Sequence, residues 1–340
     1  EAYALAERNE LERARAWASD GAQITGSDDL FNEWIARSSS DVRMLSTRTP
    51  RGWYPYAGVP WFSAPFGRDG LITALECLSV EPGLARGVLG FLAETQAEEE
   101  DPARDAEPGK ILHEARLGEM AALGEIPFGR YYGTVDATPL FVVLAWEYLR
   151  WTGDAGFVRG LLPNVRRALE WMERHGDMDG DLLIEYQRRT ATGLLNQGWK
   201  DSNDSVFHAD GSDAEGPIAL CEVQAYAYGA WCAAARLGEA FGLDGEAAGW
   251  RDRAERLRER FEAAFWVEEL GTYALALDGE KRAMRVASSN AGHALLTGLA
   301  SPARAERVVQ SLMGSASFSG WGVRTLDSSA VRYNPMSYHN

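Results

Sequence analysis

Apolar residues recur at helical spacing in ten stretches of this chain, and sustained two-residue alternation is almost absent. The clearest case follows Asp28 and Asp29, where Leu30, Phe31, Trp34 and Ile35 fall on one face behind an acidic start. The pattern predicts helices over 1–18, 28–43, 69–78, 82–95, 138–152, 155–175, 217–241, 244–265, 288–299 and 302–312, with Pro82 in a first turn. Short strands are expected only over 182–186 and 272–277. The connections alternate in length. Those at 79–81, 153–154, 242–243 and 301 are short, whereas 97–136, 176–216, 266–287 and 313 onward are long. A helix pair with its long loop, repeated, returns every such loop to one end of a toroid. The expected fold is therefore all-α, an (α/α)6 barrel formed as a single domain over 1–340. A full toroid of that type has twelve helices, so ten suggest a fragment lacking the last pair.

Long loops in a folded domain are normally functional. Three segments, two of them in these loops and one just before the helix over 69–78, carry Asp beside aromatic residues and glycine, centred on Asp69, Asp136 and Asp201, with steps of 67 and 65 residues. Aromatic rings with a polar edge suit the flat face of a pyranose, and carboxylates suit its hydroxyls. Trp61, Arg68 and Asp69 stand in the first segment, Tyr132 and Asp136 in the second, and Trp199, Lys200, Asp201 and Asp204 in the third. Trp321 belongs to the last loop. A carbohydrate-active site is the expectation.

Composition narrows this picture. With 46% apolar residues and 11% aromatics, the chain can fill a large core. A net charge of −16 argues against nucleic acid as a partner but not against a neutral sugar. Of 34 basic residues only Lys110, Lys200 and Lys281 are lysines. Cys77, Cys221 and Cys232 lie in apolar helical stretches without metal-ligand spacing, so buried reduced thiols are expected. No leader-like or membrane-spanning apolar run is present, and a cytoplasmic protein with no membrane partner is the default expectation.

Each motif also has a plain structural explanation. Asp69 and Asp136 precede helices and could simply cap them. Gln197-Gly198-Trp199-Lys200-Asp201-Ser202-Asn203-Asp204-Ser205 could be a polar turn, but it offers two carboxylates beside an indole and an ammonium. Glycoside hydrolysis needs one protonated carboxylic acid and a second carboxylate across the ring. An apolar ring beside Asp201 would raise its pKa, whereas Lys200 would lower it unless that side chain points away. Asp204, between Asn203 and Ser205, is the runner-up for the acid. Asp177, Asp179, Asp181 and Glu185, with the Leu183 carbonyl, place oxygens at alternate positions, a spacing that suits calcium. An acidic turn explains the same residues and stands ahead of the metal, since Gly180 falls at the fourth position and no twelfth-position Glu follows. His113 and Glu114 lack the second histidine of a metal motif. A sugar epimerase would need paired histidines, and His113, His175, His208, His293 and His339 share no spacing with the site loops.

The strings Val59-Pro60-Trp61-Phe62 with Phe66-Gly67-Arg68-Asp69, Pro108-Gly109-Lys110-Ile111-Leu112-His113-Glu114, Arg130 to Pro139, and Gln197 to Ser202 resemble bacterial amylo-α-1,6-glucosidase or glycogen-debranching-type proteins. These are similar in turn to wider (α/α)6 α-glucosidases and mannosylglycerate hydrolases. The resemblance implies an inverting hydrolase of α-glucosidic bonds, with an α-glucan or oligosaccharide as substrate and no required cofactor. Asp201 then falls on the general acid, and Arg68, Asp69 and Asp136 on the sugar-holding pocket. The base glutamate is implied beyond Asn340, and the acidic run resembles a structural calcium loop of some relatives. An oligosaccharide- or mannosylglycerate-type α-glycosidase is the alternative, and a non-catalytic sugar-binding helical module is a rival of another class.

Overall fold

The structure, a computed structural model, describes residues 2–340. Two helices precede the repeat, α1 (Ala2–Asp20) and α2 (Asp29–Leu45), and the Asp28 carboxylate caps α2 by accepting the Phe31 N–H at 2.9 Å. The apolar stripe of α2 lies outside the core, with Leu30 and Trp34 exposed. An antiparallel hairpin follows, β1 (Ser46–Thr49) and β2 (Gly52–Pro55), which pairs Ser46 with Pro55 and was not expected from the pattern.

The helix pairs then follow in order. They are α3 (Gly67–Glu76) with α4 (Pro82–Glu94), and α6 (Ala137–Thr152) with α7 (Ala155–Trp171), with the single turn α5 (Glu119–Ala122) between them. Next, β3 (Ala219–Leu220) leads into α8 (Cys221–Phe241) and α9 (Asp244–Ala264). Three two-residue strands, β4 (Trp266–Val267), β5 (Thr272–Tyr273) and β6 (Ala276–Leu277), precede α10 (His293–Leu296) and α11 (Pro302–Met313). β4 pairs with β5, and β6 reaches back to β3. Gly153 and Gly242 end α6 and α8 in left-handed conformations, at φ +68° and +74°, and so permit the tight reversals.

An inner row forms as α3 packs on α6, α6 on α8 and α8 on α10. The outer helices α4, α7 and α9 each cover one or two inner ones. Burial follows this order. α6 and α8 are buried on most sides, with Phe141, Leu144, Ala145, Tyr226, Ala230 and Trp231 inside, whereas α9 buries only Ala247, Ala254, Leu257 and Phe261. The fold is the all-α helical toroid expected from the sequence.

Several boundaries differ from the expectation. The helix expected from 217 begins at Cys221, because Ala219 and Leu220 form β3 and pair with β6 while Ile218 bridges to Tyr186. The stretch 288–299 yields a 3₁₀ turn, Ser289–Gly292, and then one turn of α10. The end of 155–175 is a π-turn, Met172–Gly176. The strand expected over 182–186 reduces to one bridge, Tyr186 to Ile218, and 272–277 splits into two strands with different partners. Of the cysteines, all unpaired, only Cys221 is fully buried. Among the described residues no helix is long and apolar enough to cross a membrane.

Candidate active site

The inner helices α3, α6 and α8 all begin at the same end of the toroid, and the long loops gather their polar residues there. Arg68, in the first turn of α3, is buried and donates from Nη1 to Asp136 at 3.1 Å and to the Gly198 carbonyl at 3.0 Å. Its other nitrogens face Asp69 at 3.7 Å and Asp201 at 3.8 Å. One guanidinium therefore joins the three segments that recur along the sequence. Burial opposes its charge, but Asp136, Asp69 and Asp201 outweigh that and hold its pKa above the ordinary arginine value.

These residues open onto a cavity of about 670 Å³, lined by Arg68, Asp69, Trp199, Asp201, Tyr226, His293, Tyr338 and His339, with Tyr56 and Ile72 on its apolar side. Asp201 keeps 27% of its side chain exposed to this space. Burial pushes its pKa up, Arg68 pulls it down, and Asp136 and Asp69 add to the rise, so the net direction is upward. Lys200 does not offset this rise. Its side chain turns away, fully buried, and donates to the Thr325 carbonyl at 2.7 Å. Burial pushes the Lys200 pKa down to about 8, against the pull of Glu222.

The loop carrying Asp201 is held on several sides. Val135 N–H donates to the Gln197 carbonyl at 2.9 Å, and Asn196 donates to the Ser202 carbonyl at 2.7 Å. The Ser202 N–H donates to His339 Nδ1 at 3.3 Å, so that nitrogen acts as the acceptor and the proton belongs on Nε2. The Trp199 ring lies between His293 and His339, at 6.4 and 5.9 Å between centroids, and its buried Nε1–H has no protein partner.

Other expected site residues are placed differently. Asp136 neither caps α6 nor reaches the cavity. It is fully buried, one oxygen accepting from Thr134 at 2.5 Å and the other from Arg68, so it orients the guanidinium rather than a sugar. Tyr132 is a core residue whose hydroxyl donates to the Thr95 carbonyl at 2.7 Å. Trp61 lines a second cavity of about 700 Å³, which shares Tyr56 with the first and holds Arg48, Arg116 and Arg130. Trp321 is fully exposed and lines neither cavity. Asp204 is exposed outside the cleft, where its carbonyl accepts from Arg332 and Asn340. His113 is buried between the rings of Phe66 and Tyr131.

Asp177, Asp179 and Asp181 do converge, with carboxylate oxygens within 4.8 Å of one another. A lysine sits among them, however. Lys281 Nζ lies 3.1 Å from Asp179 and 3.2 Å from Asp181 and contacts Glu185. Arg260 adds a 2.6 Å bond to Asp181, and Arg253 lies 3.5 Å from Asp177. An ammonium and two guanidinium groups are already seated among these four acids, and of their oxygens only Asp177 Oδ1 is buried without a hydrogen-bond partner, so the set is occupied by the protein's own cations and does not fit a calcium ion.

Sequence reasoning missed four groups. Tyr226 and His293, bonded to each other at 2.8 Å, wall the cavity, with His293 pushed down to about 4 by burial. His339 is likewise held at about 4 by burial and by the nearby Lys200 and Arg68. The fold therefore does bring two histidines to the site, contrary to the spacing argument, but both are neutral near pH 7. Glu222 lies fully buried beneath Gly198, accepts from Asn290 at 2.7 Å, and is raised to about 7 by burial. Its only sequence signal is a polar interruption, Glu222 and Gln224, in an otherwise apolar helix start.

Comparison with known proteins adds independent findings. Among solved structures, a GH78 family rhamnosidase of Bacillus sp. GL1 superposes with a TM-score of 0.62 at 20% identity, over 86% of this chain and 26% of that one. A rhamnosidase from Klebsiella oxytoca with rhamnose bound gives 0.58 at 15% identity, over 86% and 49%. A structure described as a sialidase gives 0.65 at 13% identity, over 96% and 27%. This chain thus spans a quarter to a half of those proteins, and at these identities they speak to the fold alone. No curated protein gave a significant match. The profile of the mannosylglycerate hydrolase MGH1-like glycoside hydrolase domain matches residues 131–340, well over half of the chain and the part that carries Asp136, Asp201, His293 and His339, and the chain belongs to that family.

Proposed function

We propose that this chain is the catalytic toroid of an inverting glycosidase in which Asp201 donates the proton to the leaving oxygen. The observation that carries the reading is a half-buried carboxyl in the cleft, its pKa raised by burial, with the neighbouring ammonium turned away. A carboxyl whose proton affinity is raised is suited to protonate a glycosidic oxygen while water attacks the opposite face of the sugar. Asp69, whose buried Oδ2 has no hydrogen-bond partner, and Arg68 are assigned to sugar hydroxyls. Trp199 supplies the stacking face. Glu222 is sealed off from the cavity; the base remains the glutamate that the resemblance implies.

A small α-glycoside of the mannosylglycerate type is favoured over a branched α-glucan. The family match supports it, as does the second cavity, which is lined by Arg48, Arg116 and Arg130, the second of them paired with Glu114 at 2.6 Å, in a chain of net charge −16. Those arginines suit an anionic aglycone. The test offers the full-length protein mannosylglycerate, neutral α-glucosides and a branched α-glucan, and measures the sugar released. Mannose from mannosylglycerate is the expected result. Glucose from the branched glucan alone would return the debranching reading, and no release from any of them would leave a binding module.

A further inference from the structure

The acidic loop after α7 divides its carboxylate oxygens in a regular way. Asp179 accepts the Asp181 N–H with Oδ1 at 3.2 Å and faces Lys281 with Oδ2 at 3.1 Å. Asp181 accepts the Leu183 N–H with Oδ1 at 3.0 Å and faces Lys281 with Oδ2 at 3.2 Å. Glu185 accepts the Met178 N–H with Oε2 at 3.2 Å, and its Oε1 takes a bond from Lys281. Each of these three acids thus gives one oxygen to the loop's own backbone and the other to Lys281, with Asp181 Oδ2 also accepting from Arg260 at 2.6 Å, whereas Asp177 accepts the Leu182 N–H at 3.1 Å and faces Arg253 instead. Lys281 has three N–H donors, and three carboxylates meet them.

Lys281 is held in place from its own side. It lies in a turn where Asp278 accepts the Glu280 and Arg282 N–H groups at 3.0 and 2.9 Å, and Lys281 itself adopts φ +60°. That left-handed conformation is uncommon for a residue with a side chain. The Gly279 N–H is tied to the Glu215 carbonyl at 2.8 Å, so the turn is fixed to the far end of the same connection. The chain uses arginine nearly everywhere, with only three lysines among 34 basic residues. A compact point charge fits where a planar guanidinium would not.

We infer that Lys281 is the built-in countercation of this loop, occupying the position that a divalent ion takes in oxygen-liganded loops, and that it makes the fold independent of calcium. It staples the connection that carries Asp201 to the β6 turn without any metal.

The test is thermal melting in EDTA and in calcium chloride, and it needs no substrate. The wild type should show the same Tm in both. Lys281→Met should melt lower in EDTA and recover with calcium, by about 5 °C at a hundred times its dissociation constant. If Lys281→Met fails to fold, Lys281→Gln and refolding with calcium carry the same expectation. Adding Asp179→Asn to either variant should remove the calcium response. A wild-type Tm that climbs with calcium overturns the inference, as does a Lys281 variant that ignores calcium.

Discussion

Arg68 and the carboxylates around it show how much one residue can settle. Asp69 and Asp201 stand out in the sequence because each follows aromatic and glycine residues, and both line the cavity. Asp136 was legible as important but not in its role, since sequence cannot tell a carboxylate facing solvent from one sealed behind an arginine. His293 and His339 were illegible because a toroid brings together positions far apart in the chain. For the proton donor, Asp201→Asn should reduce turnover of glycosides with poor leaving groups by about 10²–10⁴-fold and spare glycosyl fluorides. Asp204→Asn should leave kcat nearly unchanged, as its exposed position outside the cleft requires. The reverse ranking would transfer the role to Asp204. Lys200 gives a prediction with a definite sign. Its pKa is lower folded, about 8, than unfolded, about 10.4. Between those values the unfolded chain binds more protons, so stability rises with pH. The stability of the wild type relative to Lys200→Met, read from Tm, should therefore climb from pH 8 to about 10.5, by roughly 3 kcal/mol in total. A difference that stays flat would mean that the ammonium is not buried.

Elements were legible where packing and periodicity agree. α6, α7, α9 and α11 begin and end within a few residues of the expected positions, because Asp154, Gly153, Gly242 and Pro302 mark their ends chemically. Local pattern misleads where tertiary pairing overrides it. Residues 218–220 have helix-compatible apolar side chains but are drawn into pairing, Ile218 with Tyr186 and 219–220 with β6, and α10 is cut short after one turn. Close approach between elements is equally hidden. The N–H of Gly67, the first residue of α3, donates to the His113 carbonyl at 2.8 Å, and an added Cβ would lie 1.9 Å from the Leu112 carbonyl oxygen. That oxygen is backbone and cannot swing aside. Gly67→Ala should cost about 1–3 kcal/mol and displace Arg68 and Asp69, lowering both Tm and kcat. An alanine variant with wild-type melting would show that α3 has room to move.

At the scale of the whole molecule, the interval of about 66 residues between Asp-bearing loops was the strongest sequence signal, and the toroid explains it. One inner helix, one outer helix and one long loop form the repeating unit, and the inner helices begin at a common end. Most site contacts cross between units, as Arg68 to Gly198 and Ser202 to His339 do, so the cleft exists only when the units close together. With Asp201 as its acid, that cleft is proposed to hydrolyse its glycoside with inversion. The most direct test is proton NMR of the first sugar released by the full-length protein, recorded before the anomers equilibrate. Inversion requires the anomer opposite in configuration to the bond cleaved; release of the retained anomer would contradict it.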